Sequence, residues 1–405
     1  MTNNASDNMR KPQLAVFISH PIQHFSPLFK ALKELLDLHV FYYSDFGQKQ
    51  HHIDPGFGVP VKWDVPLLEG YKFSFLPSVP WQSQSYNGKV RLNFGLLKAL
   101  RQKRWDGVLL FGYSSINNLL IWLLASLLRI PLLYMSDSEL LHSRSWARLL
   151  TKELPLRLFF RRISAYLSIG DHNDAYAARY GVEKSRRYRA VYPVDVERFK
   201  QISKLPDLTS RLTLLRHQYN IPNKANVVLF CGKLIPRKRP LDLAKALHLI
   251  PPKPYPLIAL FLGAGPLEGD IRRIGGNSVR ITGFVNQSDI PLYYALSILL
   301  VHPAQEDAHP LVITEAASLG VPAIVSDHVG CVGPTDILRN GENGIVYPCG
   351  NIEKLAQAID TLLEGKKLRY RMGMRGQELA ETQCPIKAAR HIRDALIQVV
   401  SNSSE

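Results

Sequence analysis

Three segments in the second half of the chain concentrate residues suited to a phosphorylated ligand. In Phe230-Cys-Gly-Lys-Leu-Ile-Pro-Arg-Lys-Arg-Pro240 an apolar run ends at Gly232, and Lys233, Arg237, Lys238 and Arg239 follow it. Clustered cations in a loop after a strand suit a diphosphate, whose charge needs compensation as it departs. A basic surface turn has the same composition. In Phe261-Leu-Gly-Ala-Gly-Pro266 and Val279-Arg-Ile-Thr-Gly283, strands close on Gly263, Gly265 and Gly283. Glycine there serves a turn or lets the backbone approach a flat ligand.

The richest segment is 302–322, which carries Glu306, Asp307 and Glu315. A helix is expected to open near Pro310, a good first-turn residue, and to end at Gly320. Glu315 falls among Leu311, Val312, Ile313, Ala316 and Leu319, so its carboxylate needs a partner if buried, and two ligand hydroxyls would serve. Backbone N–H groups at the helix start would meet an anion. Asp307 and Glu315 stand eight positions apart, about 12 Å along continuous helix. The acid/nucleophile pair of a retaining glycoside hydrolase sits at roughly 5–5.5 Å, so these two read as grips on opposite ends of a long ligand.

In the first half, Ser19-His-Pro-Ile-Gln-His24 follows the first apolar run and puts His20 and His24 where a strand would meet a cleft. A turn histidine without a role fits each equally well. Residues 54–58 and 63–71 combine glycines, aromatics and acids, and aromatic faces suit sugar rings, although aromatics also simply pack.

The elements that must position these residues alternate along the chain. Apolar runs at 14–18, 39–43, 107–111, 131–134 and 165–169 read as strands, with helical spacing at 27–36. The pattern lapses between 195 and 225, the best boundary, and resumes with strands at 226–230, 257–262, 279–281, 298–301 and 323–325 and a helix at 241–249. β-α-β alternation argues for doubly wound parallel sheets. Two such domains make the cleft between them the default ligand site.

Composition narrows the partners. In 405 residues, 50 Lys+Arg against 34 Asp+Glu give a net charge of +16. Residues 1–200 hold 27 and 16 of these, a net of +11, which leaves 23 and 18, or +5, for the rest. Such an excess favours an anionic partner. No nucleic-acid motif occurs, so a membrane surface or a phosphorylated ligand is expected rather than nucleic acid. The segment from Arg144 to Arg162 sets six cations among apolar residues, which suits either anionic headgroups or an ordinary solvated helix face. The longest apolar run, 119–128, is too short to span a bilayer, which takes roughly 20 residues, and reads as a buried helix. Cys231, Cys331, Cys349 and Cys384 form neither a zinc pattern nor a disulfide framework, which points to reduced cytosol.

The ordered motifs resemble those of the retaining family 4 glycosyltransferases, which have the GT-B fold of two facing Rossmann-like domains (group 1 glycosyl transferases). Tyr192-Pro-Val-Asp-Val-Glu-Arg-Phe199 is similar to the V-D-x-x-x-F segment at the domain boundary. Gly232-Lys-Leu with Lys238 is similar to the donor-phosphate loop. Gly263-Ala-Gly-Pro266 and Gly283-Phe-Val285 resemble the next two elements. Asp307 to Glu315 resembles E-x7-E, and Asn343-Gly-Ile-Val-Tyr347 the N-G segment that follows.

The resemblance implies an acceptor-binding domain over 1–200, a donor-binding domain over 201–385, and a C-terminal helix over 386–405 packing back on the first domain. It implies that Lys233 and Lys238 hold the donor diphosphate and that Gly232 and Gly265 shape that site. Gly283, Phe284 and Val285 would flank the nucleobase. Leu311 and Val312 would offer N–H groups to phosphate. Glu315 would bind the ribose and Asp307 the sugar, with no metal or other cofactor. His20, His24 and Asp137 would lie on the acceptor side. The expected activity is transfer of a hexose-type sugar from a nucleotide-diphosphate sugar to a glycan or lipid-linked acceptor, in the cytoplasm against the inner membrane face. A GT-B nucleotide-sugar epimerase or a non-catalytic nucleotide-binding protein are the alternatives.

Three positions depart from the family pattern. Asp307 is a shorter first acid with Glu306 beside it. Pro310 stands where glycine is frequent and has no N–H to give. Ser136-Asp137 stands where the first domain often has His-Asp.

Overall fold

The structure, a computed structural model, describes residues 10–48, 58, 62–78, 92–141 and 146–402, with side chains in its fourth long helix from residue 151 onward. Strands β1 (Gln13–Ile18), β2 (Asp37–Tyr42), β3 (Lys72–Phe75), β4 (Gly107–Phe111), β5 (Leu132–Met135), β6 (Ala165–Ser168) and β7 (Arg187–Arg189) form one sheet. Their order is β3-β2-β1-β4-β5-β6-β7. Strands β8 (Asn226–Cys231), β9 (Leu257–Leu262), β10 (Val279–Gly283), β11 (Leu299–His302), β12 (Ala323–Ser326) and β13 (Gly344–Tyr347) form the other, ordered β10-β9-β8-β11-β12-β13. The strand pairings are parallel.

Continuous apolar strands make sense only if both faces are covered. Alternation along β1 sends Leu14, Val16 and Ile18 to one core and Ala15 and Phe17 to another. β8 divides likewise, with Val227 and Leu229 on one side and Val228 and Phe230 on the other. Each fully buried side chain of this size is worth about 1.5–3 kcal/mol against leaving it exposed. In both sheets the order reverses beside the first strand of the domain, between β1 and β4 and between β8 and β11. Ligands of open α/β sheets bind outside the carboxyl ends at such reversals.

The edge strands β3, β7 and β13 carry no long apolar run, and hydrophobic patterning misses them. The stretch read as a lapse, 195–225, holds helices Val196–Gln201 and Leu208–Gln218. Val194, Val196 and Phe199 pack in the second core, so the chain changes domain before residue 194 rather than at 200. The terminal helix Pro385–Asn402 returns to the first domain, where Ile392, Leu396 and Val399 join the core beneath β1.

The run at 119–128 is not wholly buried. It forms helix Ile116–Leu127, on which Asn117, Ile121 and Ala125 face inward while Leu119, Leu123 and Leu127 face out. Among the described residues no helix is long and apolar enough to cross a membrane.

Candidate functional site

At the second reversal the loop after β8 meets the loop after β11. Gly232 leaves the strand at φ 144°, and its N–H donates to the Leu262 carbonyl at 2.9 Å. A short 3-10 turn, Pro236–Lys238, then aims Lys238 at Asp307. His302, the last residue of β11, donates from Nε2 to the same oxygen, Oδ2, at 2.7 Å. A carboxylate can only accept, so Nε2 carries the ring proton. Burial opposes the charge on Asp307, but His302 and Lys238 outweigh it and hold the carboxyl well below the usual range. Burial lowers Lys238 and His302 from their ordinary values, with Asp307 opposing in each case.

This geometry decides between the neighbouring acids. Glu306 points to solvent, whereas Asp307 joins the cluster. The basic loop is also smaller than its sequence suggests. Arg239 adopts φ 49° and is bound to the buried Asp242, at 2.7 Å from Nε, so it anchors the next helix instead of facing a ligand.

The Gly263 and Gly265 positions have a packing reason. A Cβ on Gly263 would lie 2.0 Å from the Gly232 carbonyl oxygen, and one on Gly265 would lie 2.6 Å from that of Leu234. The two loops therefore cross backbone against backbone. At Gly283 nothing lies within 4 Å of an added Cβ, and it is the φ of 75° that calls for glycine.

Helix Leu311–Ser318 starts one residue later than expected. Pro310 is its N-cap in an extended conformation, and 307–310 is loop, so the Asp307–Glu315 separation is not a helical rise. The lost Pro310 N–H is thus outside the first turn, and Leu311 and Val312 supply the first N–H groups, which have no acceptor within a helix. Glu315 lies on the cleft side of this helix. The hydroxyl of buried Tyr294 donates to its Oε2 at 2.8 Å. Burial raises the Glu315 carboxyl above its ordinary value, with Tyr294 and then Arg198 opposing. Glu315, Arg198, Leu311 and His24 line one pocket between the domains.

From the first domain, Asp137 follows β5, is exposed to water, and stands near enough to Asp307 and Arg237 to feel their charges. Burial raises its carboxyl, and Asp307 and Glu139 add to this while Arg237 opposes. Ser136 is buried and its carbonyl accepts from Asn173 at 3.0 Å. His20 bonds the Ser19 hydroxyl at 2.9 Å near the cleft rim. His24, Tyr192 and His309 line up across the domain seam, with ring centroids 5.1 and 5.4 Å apart. Both ring nitrogens of His24 and of His309 are buried without a partner among the described residues. Burial lowers His24 to about 3 and His309 to about 4.

The remaining seam is polar. Arg189 reaches the buried Asp336 at 2.6 Å and Asp171 at 3.1 Å. At the other side, Asn286 donates to the Lys62 carbonyl at 2.7 Å and Ser288 bonds Asp64, which sets Trp63 6.1 Å from Phe284. Residues 54–57 and Arg144 lie outside the described residues. Tyr294 carries no spacing signal, and His302, His309, Arg198 and Asp64 lie within segments singled out above without being marked there as site residues.

Residues 213–379 match the family model for glycosyl transferases group 1. The match covers about two fifths of the chain, all of it from residue 213 onward. That match begins in the helix before β8 and contains the Lys238, Asp307 and Glu315 cluster. Alpha-D-kanosaminyltransferase of Streptomyces kanamyceticus is 25% identical over 237 residues, 57% of either chain. The GDP-mannose-dependent alpha-(1-6)-phosphatidylinositol monomannoside mannosyltransferase of Mycobacterium tuberculosis is 25% identical over 237 residues, 53% of this chain and 59% of its own. The matched stretch therefore spans less than two thirds of these relatives. In fold, the crystal structure of Anabaena HepE in complex with UDP superposes with a TM-score of 0.71 at 19% identity, over 96% of this chain and all of that one. The matched stretch thus lies in the second of two domains whose overall fold is that of this GT-B structure.

Proposed function

We propose that the protein is a retaining glycosyltransferase that moves a hexose-type sugar from a nucleotide-diphosphate sugar to a glycan or lipid-linked acceptor. The reading rests on one observation. Lys238, Asp307 and the start of helix Leu311–Ser318 converge at the second sheet's reversal, with Glu315 one turn further along the same wall.

In this reading Lys233 and Lys238 offset the charge of the departing diphosphate, in place of a bound metal, and the Leu311 and Val312 N–H groups add to them. Glu315, held by Tyr294, accepts from the ribose hydroxyls. Phe284 and Val285 flank the base. Asp307 faces the sugar, and its bonds to His302 and Lys238 set its orientation. The acceptor enters from the first domain, past Asp137, His24 and His20. It attacks from the face the nucleotide leaves, so the freed phosphate can take its proton. Domain closure excludes water that would otherwise hydrolyse the donor.

The names of the relatives support transfer of sugars in polysaccharide, lipopolysaccharide and glycolipid synthesis. They name both GDP- and UDP-linked chemistry, so the base stays open. A cytoplasmic protein at the inner membrane face fits a lipid-linked acceptor.

The test is incubation with UDP- and GDP-sugars, with and without lipid-linked acceptor extracts. Acceptor-dependent nucleotide release with retained anomeric configuration supports the reading. Acceptor-free isomerisation of the donor would establish an epimerase instead, and binding without release a non-catalytic protein.

A further inference from the structure

The outer helical layer of the first domain exposes more apolar surface than its fold requires. Helix Ile116–Leu127 follows β4 and runs from the cleft end of the sheet to the opposite end. Its inward residues pack on the sheet, and its outward face carries Leu119, Leu123 and Leu127 in a single row, spaced four apart. Leu127 is 71% exposed and Leu123 46%. Beside it lies helix Trp146–Arg161, joined through the Trp122 indole, which donates to the Phe159 carbonyl at 3.1 Å and stacks on the Phe159 ring. This second helix adds Leu154 and Leu158, 65% and 52% exposed and again four apart, while Phe159 and Phe160 turn inward. Two neighbouring helices thus each show water a row of leucines, and exposed apolar area of this kind marks an interaction site.

The charge around this face is predominantly positive, although Lys103 is paired with Asp37 at 2.6 Å. Between residues 92 and 136 five cations (Lys98, Arg101, Lys103, Arg104, Arg129) stand against one acid, Asp106. Asp106 is itself bound to Arg10 at 2.8 Å. On the second helix, Glu153 is consumed by Arg157 and Arg179, and Arg161 and Arg162 make no ion pair among the described residues. Arg129 ends helix Ile116–Leu127 at φ 55°, a left-handed conformation that glycine would adopt without strain. The chain accepts that cost and sets a cation at the tip of the leucine row.

We propose that this face seats on an anionic lipid bilayer, with the leucines entering the headgroup boundary and Arg129, Arg161 and Arg162 meeting phosphate. The charge argues against a second copy of the chain, which would bring the same cations against themselves. It also fits an interfacial site, where apolar area and electrostatic attraction add. The row begins at the cleft end, so a bound bilayer presents lipid-linked molecules beside Asp137 and His24. That last consequence rests on the proposed glycosyl transfer; the seating itself does not.

The experiment is flotation of the full chain with phosphatidylcholine vesicles, with and without phosphatidylglycerol, in the absence of any nucleotide sugar. Binding should require phosphatidylglycerol and weaken with salt. Arg161→Gln with Arg162→Gln should weaken it roughly twenty-fivefold, at about fivefold per cation near the surface. Leu123→Asp with Leu127→Asp should abolish it while thermal unfolding and nucleoside diphosphate binding stay unchanged, because both side chains already face water. Absence of binding, equal binding to phosphatidylcholine alone, or binding indifferent to both double variants would overturn the proposal. So would concentration-dependent self-association that the leucine variants abolish. Nucleotide-sugar turnover is measured separately, so failure to transfer sugar leaves the vesicle result standing.

Discussion

The two sheets share one strand order and reverse at the same place, yet the two reversals are furnished oppositely. Beside β8 and β11 the groups are charged and already engaged: Lys238 and His302 share one oxygen of Asp307, and Tyr294 holds Glu315. Beside β1 and β4 stands the His24 imidazole, kept neutral by burial and without a hydrogen-bond partner among the described residues. An identical backbone thus supplies two kinds of crevice. One can compensate a diphosphate, and the other can accept or donate single hydrogen bonds. Topology says where a ligand lies, and the side chains at the strand ends say which.

Breaking the charged reversal should have the largest effect. Lys238→Ala and Glu315→Ala should each lower acceptor-dependent nucleotide release by about 10²–10³, because each deletes a charge-assisted contact in a partly dry site. Initial-rate assays check this, and near-normal turnover in both would remove the second-domain assignment.

Next in size is acid sensitivity of the seam. His24 and His309 are held at about 3 and about 4, below their ordinary value of 6.5. The folded state therefore disfavours their protons, so stability is full above pH 6.5 and falls as pH drops toward 4. At pH 5 each imidazole should cost about 2 kcal/mol. Thermal unfolding followed from pH 7.5 to pH 4.5 should show this loss, and His24→Gln with His309→Gln should flatten it. An unchanged slope in that variant would place the acid sensitivity elsewhere.

Asp137→Asn tests the first-domain side of the cleft more gently. Its carboxyl is raised rather than lowered, so the amide should retain part of its hydrogen bonding, and turnover should fall about tenfold. A loss as deep as that of Lys238→Ala would erase the contrast between the two crevices.

The smallest effect is expected at the rim. Asp64→Ala removes the exposed contact to Ser288 and should raise the donor KM two- to threefold with kcat unchanged, in line with roughly 0.5 kcal/mol for a surface contact. A fall in kcat instead would show that this contact governs closure.

Much of the charged reversal was legible in the chain. Gly232, Lys238, Asp307 and Glu315 lie within loops whose ends are marked by apolar runs, and short-range spacing places them. Arg239 misled because its partner Asp242, only three residues on, competes with any ligand. The outward leucines misled for the opposite reason. Helix Ile116–Leu127 is apolar nearly all round, so periodicity gives no face to expose. His309 and Tyr192 meet across 117 positions, and no local pattern records such a contact.

By itself the sequence determined two parallel α/β units, because apolar strands alternating with helices can bury both faces in no other way. It also determined the cationic, carboxylate-bearing loops of the second unit. Only tertiary structure decided that Asp307 rather than Glu306 faces the cleft, that His24 and His309 share a dry seam, and that Leu119, Leu123 and Leu127 face water. These outcomes depend on which side of a loop or helix a neighbouring element covers. That is set by long-range packing, to which local residue spacing is blind.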